Sequence, residues 1–250
     1  MDRSAFHRLF KTPGPVVTPV IHVLDRSQAL RNIAHVARLG AAGVFLINHD
    51  FGVDEFVPIL RAVRSACPDL WIGVNFLAQP GRVAFPVLGQ LAAGNCEIDA
   101  YWADDACMDE RVSTQSEAEA IAAIRAASGW RGMYFGGVAF KKQRPVDPAL
   151  HEYSAQIARP FMDVVTTSGV ATGHATDLTK IKDFRRGLGA APLAIASGVT
   201  PDNAADYAAD VDCFLVATGI NKPGDFYNID PARLAALLSL CREFGAPDHD

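Results

Sequence analysis

Eight short apolar runs, each followed by a stretch with helical spacing, predict an α/β fold whose strands close into a single (β/α)8 TIM barrel. Two further observations support closure. A length of 250 residues suits eight strand-helix pairs, and no composition shift or linker divides the chain. A doubly wound open sheet is the competing fold, but it places a glycine-rich turn after its first strand. Here the first turn, HVLDRS, has no glycine. Residues 1–250 are therefore expected to form one barrel domain, with 1–15 as an N-terminal extension.

The elements follow in order. VVTPVIHVL (16–24) is apolar and β-branched, the first strand. Asp25, three residues before Gln28, starts a helix with Leu30, Ile33 and Ala37 on one face, ended by Gly40. GVFLIN (43–48) is the second strand, and Phe56, Ile59, Leu60, Val63 and Cys67 mark a helix stopped by Pro68. WIGVNF (71–76) is the third strand, with a helix over 83–93. IDAYW (98–102) is the fourth, and Thr114-x-x-Glu117 reads as a capping box for a helix reaching Gly129. GMYFGGVAF (132–140) is the fifth, its paired glycines signalling close approach by other backbone, with a helix over 147–158. FMDVVTT (161–167) is the sixth, followed by a helix carrying Leu178, Ile181 and Phe184. PLAIA (192–196) is the seventh, with a helix from Pro201 to about Ala209. CFLVAT (213–218) is the eighth, and Asp230-Pro231 opens the last helix as N-cap and first-turn proline.

Composition narrows the function classes. Half of the residues are apolar and a fifth charged, enough for a large core. The net charge of −5 supplies no basic field for nucleic acid or an anionic membrane. No apolar run is long enough to span a bilayer, and MDRSAFHRLFKTPGP does not read as a secretory signal. Five cysteines without CxxC spacing read as free thiols of a cytoplasmic protein, with no zinc site and no cofactor expected.

A barrel of this class carries its site at the carboxyl ends of the strands and its phosphate site after strands seven and eight. Ser197-Gly198 and Thr218-Gly219 stand at those two places, and bare backbone there can present amides to an anion. Ser197, Gly198, Thr218 and Gly219 are the candidate phosphate ligands. A helix begun near Pro201 would add positive potential. Other polar residues collect at the same end: His22, Asp25, Asn48, Asp50, Asn75, Asp104, Asp105, Lys141, Lys142 and Thr166 to Ser168. Asp25 is explained by capping alone. Asn75 ends an apolar strand and needs a partner. Asp104 and Asp105 would point to opposite sides of an extended chain, a solvated loop rather than an acid/base dyad. Lys141 is the one basic residue adjoining a strand end in mid-barrel besides its neighbour Lys142. His7, His35, His151 and His249 read as surface or helix-face residues, and no nucleophile-base-acid triad is legible.

DVVTTSGVATGHATDLTKIKDFR (163–185), PLAIASGVTPDNAADY (192–207) and FLVATGINKPGDFYNIDPARL (214–234) together resemble the BtpA/SgcQ family of TIM-barrel proteins. That family shows a Thr-Gly-x-x-Thr-Gly-x-x-x-Asp-Leu stretch, a Gly-Ser-Gly-Val-Thr-Pro turn and a Gly-Ser-Leu-Lys turn, in this order. GVNFLA (73–78) and GGVAFKK (136–142) are similar to its third and fifth strands more loosely. The resemblance implies a phosphate-binding barrel related to those acting on sugar phosphates and phosphoribosyl compounds. It adds Val199, Thr200 and Lys222 as phosphate ligands, and Thr167, Gly169, Thr172, Gly173 and Asp177 as substrate-side candidates beside His22 and Ser168. The family's fifth strand tends to read acidic-x-His-Lys, where this chain has Gly137, Ala139 and Lys141, so a shared acid/base step is not carried over.

The expected function is an enzyme (lyase, isomerase or transferase) on a small phosphorylated metabolite, with Lys141 stabilising an oxyanion or forming a Schiff base. Asn75 and Asn48 would orient the substrate. The alternative is a non-catalytic phosphate-ligand binder or assembly protein of the BtpA type, associated with photosystem I biogenesis. The expected partners are a small phosphorylated ligand and, as an open option, further copies of the chain in a homo-oligomer.

Overall fold

The computed structural model describes residues 1–244, and eight parallel strands close on themselves. They are β1 (Val16–Val23), β2 (Val44–Asn48), β3 (Ile72–Asn75), β4 (Ala100–Ala103), β5 (Met133–Gly137), β6 (Val164–Ser168), β7 (Leu193–Ala196) and β8 (Cys213–Val216). Closure is made where β1 meets β8, with Val16 beside Cys213 and Thr18 beside Leu215. The helices are α1 (Arg3–Phe10), α2 (Arg26–Leu39), α3 (Val53–Ala66), α4 (Gly81–Ala93), α5 (Ser116–Ser128), α6 (His151–Ala158), α7 (Leu178–Leu188) and α8 (Pro231–Glu243).

Local signals place most borders. Asp25, Asp177 and Asp230 each cap a helix by accepting backbone N–H bonds, at Gln28, at Thr179, and at Ala232 and Arg233. Gly40 ends α2 in the left-handed conformation expected of glycine there. Gly137 meets the backbone close approach that its sequence predicted: a Cβ would lie 2.2 Å from the Asp104 carbonyl oxygen.

Two expected elements are different. The stretch after β7 is no α-helix but a single 3₁₀ turn, Ala204–Tyr207. Side chains capture the backbone before it can wind. Thr200 N–H donates to Asn203 Oδ1 (2.8 Å), Asp202 N–H to Thr200 Oγ1 (3.2 Å), and Asn203 Nδ2 to the Gly198 carbonyl (2.8 Å). The capping box at Thr114 is also absent. Gln115 occupies the N-cap and spends its side chain on the 109–112 loop, while Glu117 pairs with Arg82.

Two apolar layers hold the molecule. Between barrel and helices lies the large outer core of Ile, Leu, Val and Phe side chains. Inside the barrel, Phe45, Trp71, Trp102 and Phe135 pack edge to face. The N-terminal extension is a plug: α1 lays the fully buried Phe6 beneath Phe135. A buried carboxylate anchors it. Asp212 accepts from Arg3 Nε (2.7 Å), Arg185 Nη1 (3.1 Å) and Leu193 N–H (2.8 Å), and pairs with His7 Nε2 (2.9 Å). His7, expected on the surface or on a helix face, thus makes a tertiary contact from α1. His249 lies outside the described residues.

No helix among them is long and apolar enough to cross a membrane, and all five cysteines are unpaired.

Candidate functional site at the barrel mouth

At the carboxyl ends of the strands, a cleft opens to solvent, with about 530 Å³ of empty space counting the solvent at its open mouth. Its floor is apolar, from Val20, Ile47, Trp102 and Leu215, and its rim is polar, with His22, His49, Asp104, Lys141, Thr172 and Thr218 among the groups reaching it. The fold explains this division. Side chains alternate in and out along each strand, so the last inward positions of several strands meet over the packed interior.

Lys141 ties three segments together. Its ammonium donates to Ser197 Oγ (2.5 Å) after β7 and to Thr172 Oγ1 (3.0 Å) in the β6–α7 loop, while its own N–H donates to Ser168 Oγ (2.9 Å). The turns that deliver these groups are strained: Ala139 and Ser197 both hold positive φ, 45° and 84°. Burial pulls the Lys141 pKa below the ordinary lysine value and Lys142 adds to this, while Asp104 opposes it.

The two glycine turns answer a different demand from the one read in the sequence. A Cβ on Gly198 would lie 2.0 Å from the His174 carbonyl oxygen, and one on Gly219 would lie 1.8 Å from that of Val199. Bare backbone therefore lets the loops after β6, β7 and β8 stack on one another. The packing leaves amides over: those of Gly198, Val199, Thr218 and Gly219 have no acceptor among the described residues.

The ends of β1 and β4 bring an imidazole and a carboxylate to the same mouth. His22 Nδ1 must donate to the Phe226 carbonyl (2.9 Å), so a neutral ring presents Nε2 as an acceptor. The ring stacks on Phe226 and meets His49 edge-on. Burial, with His49 adding to it, pushes the His22 pKa down to about 4, which keeps the ring neutral at pH 7. Burial and Lys142 lower His49 as well. Phe226 is held over His22 from a distance, by Gln28 and Asn32 of α2, which donate to the neighbouring Tyr227 carbonyl. Asp104 is 6% exposed, which corrects its reading as part of a solvated loop. Asn75 Nδ2 donates to its Oδ1 (3.0 Å), Lys142 Nζ lies 3.7 Å from its Oδ2, and Gln143 holds its backbone carbonyl.

Several sequence candidates stand elsewhere. Both polar atoms of Asn48 serve backbone, donating to Phe51 O (2.6 Å) and accepting from Leu77 N–H (3.2 Å), so it shapes a loop and does not line the cavity. Asn75 acts through Asp104. Val199 is buried, Thr200 binds within its own turn, and Lys222 is exposed on a turn beside Asp225. Thr167 and Ser168 are buried, and Ser168 supports Lys141 from beneath. Gly169 makes room for the His174 and Ala175 carbonyls, Gly173 turns the loop with φ 79°, and Asp177 is a helix cap.

Trp102, His49 and Phe226 were not singled out in the sequence. Trp102 could have been found from strand alternation, since it ends the fourth strand on the inward side. Phe226 and His49 lie in loops, where no periodicity tells which way a side chain turns.

A closed parallel barrel whose strand ends gather a lysine, a carboxylate and a neutral histidine defines a (β/α)8 protein with a polar mouth. The BtpA family model matches residues 100–243, more than half of the chain, and the chain belongs to the BtpA family. No curated protein matches it. Solved structures share the fold. The tryptophan synthase alpha chain of Legionella pneumophila subsp. pneumophila aligns at 13% identity with a TM-score of 0.66, covering 99% of this chain and 100% of that one. Phosphoribosyl anthranilate isomerase from Thermus thermophilus aligns at 15% identity and TM-score 0.56, covering 89% and 96%. A structure described as native KDPGal aligns at 14% identity and TM-score 0.61, covering 91% and 95%.

Proposed function

We propose that the chain is an enzyme acting on a small phosphorylated metabolite of the sugar-phosphate or phosphoribosyl type. The phosphate lies between the turns after β7 and β8, against the Gly198, Val199, Thr218 and Gly219 amides, the Ser197 and Thr218 hydroxyls and the Lys141 ammonium. The observation that carries this reading is the convergence of Lys141 Nζ on Ser197 Oγ and Thr172 Oγ1 beside amides without acceptors. A dianion gains charge-assisted hydrogen bonds there without help from a helix dipole. The likeness to a phosphoribosyl anthranilate isomerase is in keeping with this class of substrate.

His22 and Asp104 in the same cavity favour catalysis over anion capture alone, the reading of a BtpA-type binding or assembly protein. Lys141 stabilises negative charge that develops on the substrate, and its hydrogen bonds to two hydroxyls hold it as an electrostatic group. Native mass spectrometry for a copurified phosphorylated ligand, with calorimetric titration of inorganic phosphate and sugar phosphates, tests the proposal. Binding that is weakened in Lys141→Met is expected. Absence of binding by every phosphate compound would overturn it.

A further inference from the structure

We propose that Trp102 and Asp104 form a second subsite in the mouth, one that reads a neutral, hydroxylated carbon skeleton at the other end of the phosphorylated ligand. This rests on the phosphate reading above and names what lies beyond the phosphate.

The first observation is an orphaned donor. Trp102 is 5% exposed, lines the cavity, and its indole N–H is buried with no acceptor among the described residues. Phe45 and Phe140 meet its ring edge-on and offer no oxygen, and the ring forms part of the cavity floor. Leaving such a donor unpaired costs about 1–3 kcal/mol, which a ligand oxygen recovers on binding.

The second observation is the acceptor beside it. Asp104 follows two residues later, on the same inward side. Asn75 takes one of its oxygens and Lys142 stands 3.7 Å from the other, so acceptor positions remain for a ligand hydroxyl. Its place is rigid, because the Gly137 backbone packs against its carbonyl and Gln143 binds it. His22 Nε2 supplies a further acceptor in the same cavity. One donor and two acceptors match a chain of hydroxyls, which give and accept together. An alkyl tail leaves all three unpaired, and a carboxylate tail meets Asp104.

The test compares ribose 5-phosphate, propyl phosphate, inorganic phosphate and free D-ribose by calorimetry and by the indole N–H resonances of the ¹⁵N-labelled protein. The Trp102 resonance is the one lost in Trp102→Phe. In the wild type, ribose 5-phosphate is expected to bind at least about tenfold more tightly than propyl phosphate. It should also move the Trp102 resonance, which inorganic phosphate leaves in place. In Asp104→Asn, the advantage over propyl phosphate is expected to narrow to about threefold or less, with inorganic phosphate bound no more weakly. Equal affinities for the two esters, or a Trp102 resonance unmoved by bound ribose 5-phosphate, would overturn the subsite while leaving the phosphate reading intact. Conversely, a resonance that moves with concentrated D-ribose, in a protein that binds no phosphate compound, would sustain the subsite and remove the phosphate reading.

Discussion

Lys141 Nζ reaches Ser197 Oγ at 2.5 Å, so the cation at the end of β5 is bound to the strained turn after β7. The contact places positive charge beside the Gly198 and Val199 amides, which have no acceptor among the described residues. It also bears on how the lysine acts, since Nζ is already committed as a donor to two hydroxyls.

Replacing Lys141 by Met is expected to weaken binding of phosphate compounds by about ten- to a hundredfold, the worth of one charged hydrogen-bonding partner. The melting temperature should change little, because methionine keeps the apolar length of the lysine stem and only the ammonium contacts are lost. Calorimetry paired with thermal denaturation checks both parts. Borohydride treatment with a carbonyl substrate is expected to trap no adduct on Lys141, and a trapped adduct would replace the electrostatic role with a Schiff base.

Gly198→Ala and Gly219→Ala are expected to cost at least about 2 kcal/mol each in stability, from backbone clashes in both and a positive φ of 74° at Gly198. Chemical denaturation measures this directly. A variant as stable as the wild type that merely fails to bind phosphate would restore the view that these glycines exist to admit an anion.

His22 makes stability depend on pH with a definite sign. Its folded pKa of about 4 lies below the 6.5 of an unfolded chain, so between these values the unfolded state binds more protons. Stability is therefore full above pH 6.5 and is lost as pH falls toward 4. From pH 7 to pH 5 the loss from this residue is on the order of 2 kcal/mol. Urea titrations at the two values should show a smaller difference in His22→Gln. A remainder is expected from His49 and His151, whose pKa values burial also lowers.

The plug should be worth as much as a core residue. Phe6→Ala is expected to destabilise by about 3–5 kcal/mol, since it opens a cavity under Phe135. Removing residues 1–10 should cost more than Phe6→Ala, because Asp212 then loses Arg3 and His7 while remaining buried. Denaturant midpoints rank the two variants, and equal stability of the shortened chain would show that α1 is dispensable.

Read by itself, the sequence determined the strands, the order of the barrel and the place of the mouth. Runs such as GVFLI and PLAIA are apolar at every position, and caps such as Asp25, Asp177 and Asp230 act within a few residues, so short-range physics carries them. It also marked Lys141, His22, Ser197 and Thr218 as residues of the strand ends. Tertiary structure decided which polar residues share a cavity. Asn48 and Asn75 look alike at the ends of neighbouring strands. One turns to loop backbone and the other to Asp104, according to which partners the folded loops bring within reach. The helix expected after Pro201 gave way to a turn because Thr200 and Asn203 found backbone partners that helical periodicity does not register. Above all, Gly198 and Gly219 are bare because His174 and Val199, from other loops, pass within 2.0 Å and 1.8 Å of where a side chain would begin. Distances between loops far apart in the chain exist only once the barrel has closed.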